Sequence, residues 1–130
     1  FGGIFMGISI THRGEYSKIT MYLKNLLRKD YTSIVRKYAD QGLEALREYT
    51  PKDTGLTANS WSYEIEQTRT SIKVTYLNSN VNKHINIALI IQYGHGTGTG
   101  GWVEGIDYIN PALKPVFEQM AAECWREVKR

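Results

Sequence analysis

Two hydrophobic periods run through this chain, one of two residues and one of three to four. Ile8-Ser9-Ile10-Thr11 alternates and is rich in β-branched residues, which predicts a short strand ending at Gly14. From Glu15 to Lys29, Ile19, Tyr22, Leu23, Leu26 and Leu27 recur at helical spacing and predict an amphipathic helix. Asp30 is placed to cap a second helix over 31–49, with Ile34, Val35, Tyr38, Ala39, Gly42, Leu43 and Leu46 as its apolar stripe. Gly42 inside that helix costs about 1 kcal/mol against Ala unless a close neighbour requires it. Pro51 stops the helix, and Asp53 with Gly55 favours a turn.

Alternation then returns. Trp61, Tyr63 and Ile65 share one face, with Ser62, Glu64 and Glu66 on the other; Ile72, Val74 and Tyr76 follow after the polar turn 67–70. This predicts an antiparallel hairpin. Residues 85–93 are apolar, and periodicity leaves strand and short helix both open. Residues 94–105 hold half of the chain's 12 glycines and are expected to form a loop that is mobile when free. Asn110-Pro111 predicts a helix start, Asn as cap and Pro at the first helical position. Leu113, Val116, Phe117, Met120, Ala121, Cys124 and Val128 then form the buried stripe of a last helix running to about Lys129. The predicted fold is α+β: a small antiparallel sheet of three to four strands packed by two N-terminal helices and one C-terminal helix.

At 130 residues the chain is one domain of ordinary size, and 42% hydrophobic composition argues against disorder. Met6 is expected to be the native start, with residues 1–5 added or an upstream extension. The single cysteine forbids an intrachain disulfide and points to assembly in a reducing cytosol. No stretch is apolar over the ~18 residues that a membrane span requires. A net charge of +3 is mild. Arg13, Lys18, Lys24, Arg28, Lys29, Arg36, Lys37 and Arg47 are expected mostly on the wet faces of the two helices, with DNA as one candidate partner for them.

Candidate chemistry is sparse. The run Gly94-His95-Gly96-Thr97-Gly98-Thr99-Gly100-Gly101 does not match Gly-x-Gly-x-x-Gly, lacks the Lys-Ser/Thr of a phosphate-binding loop, and leads into Trp102 rather than a helix. A surface loop that orders against a neighbour suits it better. His12, His84 and His95 lack metal-ligand spacing. Cys124 sits on an apolar stripe and reads as a structural thiol, and Glu64 and Glu66 as solvated strand residues. Trp61, Trp102 and Trp125 are either interface anchors or core covers. These readings imply no enzyme, no cofactor and no metal.

Three segments in order resemble the tail-completion, or head–tail joining, neck proteins of long-tailed bacteriophages and prophages. Thr50-Pro51-Lys52-Asp53-Thr54-Gly55-Leu56 with Asn59-Ser60-Trp61 is similar to their Pro-x-Asp-Thr-Gly-x-Leu…Ser segment. Ile91-Gln92-Tyr93-Gly94-His95-Gly96-Thr97 resembles their Val-Glu-Tyr-Gly-Thr, with Gln92 in place of a frequent Glu and His95-Gly96 inserted before Thr97. Ile109-Asn110-Pro111-Ala112-Leu113 resembles the opening of their last helix. The resemblance spans residues 31–130. It implies an α+β virion protein without catalytic activity, assembled in the host cytoplasm as a ring, expected to be six-fold, around the DNA channel. Its implied partners are a head connector or stopper protein, a tail-tube or tail-terminator protein, and genomic DNA passing without sequence specificity. Interface candidates are Asp53, Thr54, Gly55, Leu56, Trp61, Tyr93, Gly94, His95, Thr97, Thr99 and Trp102, with Thr97 and Thr99 able to pair with a partner's edge strand. The alternative from another class is a small nucleic-acid-binding module that stacks bases on Trp61, Tyr63 and Tyr76.

Overall fold

The computed structural model describes residues 5–13, 16–24, 30–52, 55–68, 70–82 and 85–128. Strand β1 (Phe5–Arg13) forms a hairpin with β2 (Tyr16–Lys24). Helix α1 (Thr32–Tyr49) follows, then a 3-10 turn at Ala58–Ser60, then β3 (Trp61–Gln67) and β4 (Ile72–Asn78). The short pair β5 (Val81–Asn82) and β6 (Ile85–Asn86) leads into α2 (Ile87–Tyr93). A second short pair, β7 (Gly94–Gly96) and β8 (Trp102–Glu104), precedes α3 (Ile109–Val128). The main sheet is antiparallel, in the order β1-β2-β4-β3.

The first predicted helix is a strand. Residues 16–24 satisfy both periods, and the competition is decided by pairing. Ile19, Met21 and Leu23 are buried at alternate positions, and Tyr22, counted on the helical stripe, faces the other way with Lys18, Thr20 and Lys24. As a strand the segment pairs β1 on one side and β4 on the other, so backbone groups pointing to either edge find partners. Ile19 and Thr20 also favour a strand, because their branched β-carbons are stiff at χ1. One helix, not two, therefore lies near the N-terminus, and Lys18 and Lys24 belong to the sheet. Gly14 and residues 25–29, including Leu26, Leu27, Arg28 and Lys29, fall outside the described residues.

The core lies between one face of this sheet and the pair α1–α3. Ile19, Met21, Leu23, Ile72, Val74 and Tyr76 supply the sheet side. Val35, Tyr38, Ala39 and Leu46 from α1, and Leu113, Val116, Met120 and Cys124 from α3, supply the helix side. Gly42 has the close neighbour its position called for. A β-carbon there would collide with the Tyr76 hydroxyl, which donates to the Ala39 carbonyl at 2.9 Å. The missing side chain thus lets a buried tyrosine end on a helix carbonyl. At the helix surface, Lys37 (3.0 Å) and the Tyr38 hydroxyl (2.9 Å) both reach Glu123 of α3, and these hydrogen bonds, Lys37 first, hold its carboxyl below the usual range. The Asp30 carboxylate accepts the Thr32 N–H at 2.9 Å at the start of α1.

Candidate interaction surface around the second helix

Residues 50–52 and 55–60 are shaped from beneath. Trp61 is 5% exposed, and its indole N–H donates to the Thr50 hydroxyl at 2.9 Å, which in turn bonds the Leu46 carbonyl. Asparagines then fasten this segment to α2. Asn78 donates to the Thr57 carbonyl (2.9 Å), Asn80 to the Thr57 hydroxyl (2.8 Å), and Asn86 to the Asn78 carbonyl (3.0 Å). The Ile87 N–H, an unsatisfied donor of the α2 start, goes to the Asn80 carbonyl at 3.0 Å. Pro51 and Leu56 consequently stand beside Ile87 and Ile91 of α2 around a depression of about 370 Å³.

At its other end α2 is tied to α3 through Gln92. Its side-chain oxygen accepts the N–H groups of Tyr108 and Ile109, both at 3.0 Å, and its amide donates to the Asp107 carboxylate at 2.8 Å. Asp107 also accepts the Asn110 N–H at 3.3 Å, Pro111 has no N–H, and the Ala112 N–H reaches the Tyr108 carbonyl at 3.1 Å. Every donor at the start of α3 is thereby accounted for. The cap expected from Asn110 is thus supplied by Gln92 and Asp107, and Asn110 instead donates its side-chain amide to Asp107. The hydrogen bond from Gln92 is the main reason the Asp107 carboxyl lies below its ordinary range. Sequence reading missed Gln92 as a structural hub. The available signal was a single polar side chain at the end of an apolar run.

The glycine-rich segment is a hairpin rather than an unstructured loop. Gly94 takes φ +83°, and a β-carbon there would lie 2.5 Å from the Val103 carbonyl oxygen, so only glycine lets the two strands approach. The Thr97 N–H reaches the Gly101 carbonyl at 3.1 Å. The Thr97 hydroxyl accepts the Gly101 N–H at 3.2 Å and lies 3.0 Å from that of Thr99. These two hydroxyls are therefore engaged within the tip. His95 stands opposite Val103 and is half-buried, with no hydrogen-bond partner for Nδ1 among the described residues. Gly105 continues the chain to Ile106, whose N–H bonds the Ile91 carbonyl at 2.8 Å and fastens the hairpin base to α2.

Large apolar side chains are concentrated here. Of the eight exposed among the described residues, Leu56, Val81, Ile85, Tyr93, Trp102, Val103 and Ile106 come from the end of α2 and the segments around it; the eighth, Tyr49, ends α1 just before Pro51. Leu56 and Trp102 are each 59% exposed. Among the interface candidates, Gly55, Leu56, Tyr93, Gly94, His95, Thr97, Thr99 and Trp102 belong to these segments. Trp61 does not join them, because it is core. Asp53 and Thr54 fall outside the described residues.

The base-stacking surface of the alternative reading does not exist. Trp61 and Tyr76 are buried, and Tyr63 packs edge-on against Tyr76 at 6.0 Å while donating to Asp40, all on the core side of the sheet. Burial, with Glu123 and Glu127 adding, pushes the Cys124 thiol up to about 11, far from a nucleophilic thiolate. Among the described residues no group of three His, Cys, Asp or Glu side chains could hold a metal ion, and no helix is long and apolar enough to cross a membrane. His84 and the side chain of His12 fall outside the described residues. Comparisons with protein-family models, with curated proteins and with solved structures find no match.

Proposed function

We propose that this chain is a structural neck protein of a long-tailed phage or prophage, completing the tail and joining it to the head connector as a ring around the DNA channel. The observation that carries the reading is the apolar surface around α2. Seven large hydrophobic side chains stand in water there, on backbone tied down by the Thr57–Asn78–Asn80–Asn86 bonds and by Gln92. Exposed apolar surface held on ordered backbone is what an assembly contact needs: affinity comes from burying it, and little ordering entropy is lost in doing so. The described parts of the three segments that resemble the neck family coincide with this region: Pro51 and 55–57 form one wall, 91–97 runs from α2 into the hairpin, and 109–113 opens α3 on the Gln92 clamp. The partners are neighbouring copies and the connector and tail proteins on either side, and the site of action is the virion neck.

Ring closure from identical copies requires a heterologous contact, in which two different patches of one chain meet. Light scattering with negative-stain imaging tests this. The wild-type protein should give closed rings with a central hole, and Trp102→Ser with Ile106→Ser should give monomers that keep the wild-type circular dichroism spectrum. Rings that persist in the double variant would remove this surface from the assembly contact.

A further inference from the structure

The second face of the main sheet is left uncovered by the described elements, and its chemistry differs from that of the α2 surface. Ser9, Lys18, Lys24, Lys73, Glu64 and Glu66 are all exposed at alternate positions on four adjacent strands, so no described element packs over them. We infer that the β1-β2-β4 part of this face is a sequence-independent binding surface for the phosphate backbone of duplex DNA. The inference goes beyond the neck reading, which gives DNA a path but no contact surface.

The donors suit phosphate. Lys18, Lys24 and Lys73 line a shallow depression of about 520 Å³ together with the hydroxyls of Ser9, Thr20 and Thr75, the Tyr22 ring and, at its β3 rim, the Glu66 carboxylate. Lysine and hydroxyl side chains are the groups that position a protein on a nucleic-acid backbone without reading bases. Lys18 and Lys24 are six residues apart on β2, roughly 20 Å at the rise of an extended strand. Measured along the helix axis, that span covers about six base pairs of duplex. Glu66 lies opposite Lys73 on the outer strand β3, with Glu64 two residues before it. These acids repel phosphate and confine the track to β1, β2 and β4.

The same geometry favours duplex over single strands. The large aromatics of β3 and β4 are turned into the core, and Tyr22, on the open face, lies beneath the Lys24 ammonium, 5.2 Å from its ring centroid. Among the described side chains of this face no free ring is left to stack a base, so these groups hold phosphates without replacing base stacking.

Three lysine–phosphate contacts predict a slope of about −2.7 for log K against log salt. Fluorescence anisotropy with two unrelated 30-base-pair duplexes between 10 and 50 mM salt reads this directly. Binding of both duplexes should weaken about 80-fold across that range. Each single Lys→Gln change should reduce the slope by about 0.9. The triple variant K18Q/K24Q/K73Q should lose binding, while R36Q/K114Q/R126Q, which removes as much charge from the helices, should retain the slope. Circular dichroism of each variant checks that it folds. No binding at 10 mM salt, an unchanged slope in the sheet variant, equal loss in the helix variant, or tighter binding of polyglutamate than of DNA would each overturn the inference. Purified protein suffices, so this outcome is separate from that of any head–tail joining assay.

Discussion

Replacing Gln92 by Leu removes three hydrogen bonds while nearly preserving volume. The Tyr108 and Ile109 N–H groups would be left in a region where both residues are almost fully buried. A buried donor stripped of its acceptor costs about 1–3 kcal/mol. Part of this is recovered because the first turn can shift toward water, so we expect a loss of about 3 kcal/mol, roughly 12 °C in melting temperature for a domain of this size. Gln92→Glu separates the two functions of the side chain. It keeps an acceptor at the helix start but puts a carboxylate against Asp107 in place of the amide donor. Two carboxylates in contact share a proton, which raises the folded-state pKa of the pair above its unfolded value. The stability of that variant is then fully present below the unfolded carboxylate range and is lost as pH rises through the raised folded value. The wild type runs the other way. Asp107 is held low, first by the bond from Gln92, so it contributes stability at neutral pH that is lost as pH falls through the lowered value. Thermal melts of the three proteins from pH 2 to 8 read both effects. A Gln92→Leu melt within 3 °C of wild type, or a Gln92→Glu variant that does not recover on acidification, would refute the assignment.

Gly42→Ala should cost about 3 kcal/mol by driving its new methyl into the Tyr76 hydroxyl, and much of that loss should vanish in a Tyr76→Phe background; additive losses in a urea-denaturation cycle would contradict the close approach. Tyr31→Phe should be neutral or stabilising by up to about 1 kcal/mol, because the Tyr31 hydroxyl is buried with no hydrogen-bond partner among the described residues; a clear loss on chemical denaturation would reveal a partner. Gly94→Ala should disrupt the β7–β8 hairpin, read as faster amide exchange over 94–104 with α1 and α3 protection unchanged. Leu56→Ser should leave the melting temperature within about 3 °C of wild type, because its side chain is mostly in water, yet weaken assembly.

Helix α1, the β3–β4 hairpin and the buried stripe of α3 were legible because each follows one period over many residues. The error at 16–24 has a physical cause. Ile19, Tyr22 and Leu23 fit a helical stripe as well as Ile19, Met21 and Leu23 fit a strand face, and only pairing with β1 and β4 distinguishes them. The residues of the candidate surface were legible as loop and glycine signals, but their convergence on α2 was not. That convergence depends on bonds between residues far apart in sequence, such as Asn80 to Thr57 and Gln92 to Tyr108, which leave no periodic trace. Trp61 stays open between anchor and core cover in the sequence for a related reason: only the contact with the Thr50 hydroxyl shows that it is held inward.

The central claim, that this chain joins heads to tails, is tested most directly by deleting its coding segment from the phage or prophage genome that encodes it and imaging the lysate. The account predicts filled heads and separate tails in place of joined particles, with joining restored by the wild-type chain supplied in trans but not by one carrying Trp102→Ser and Ile106→Ser. Normal, infectious, joined particles in the absence of the chain would contradict it.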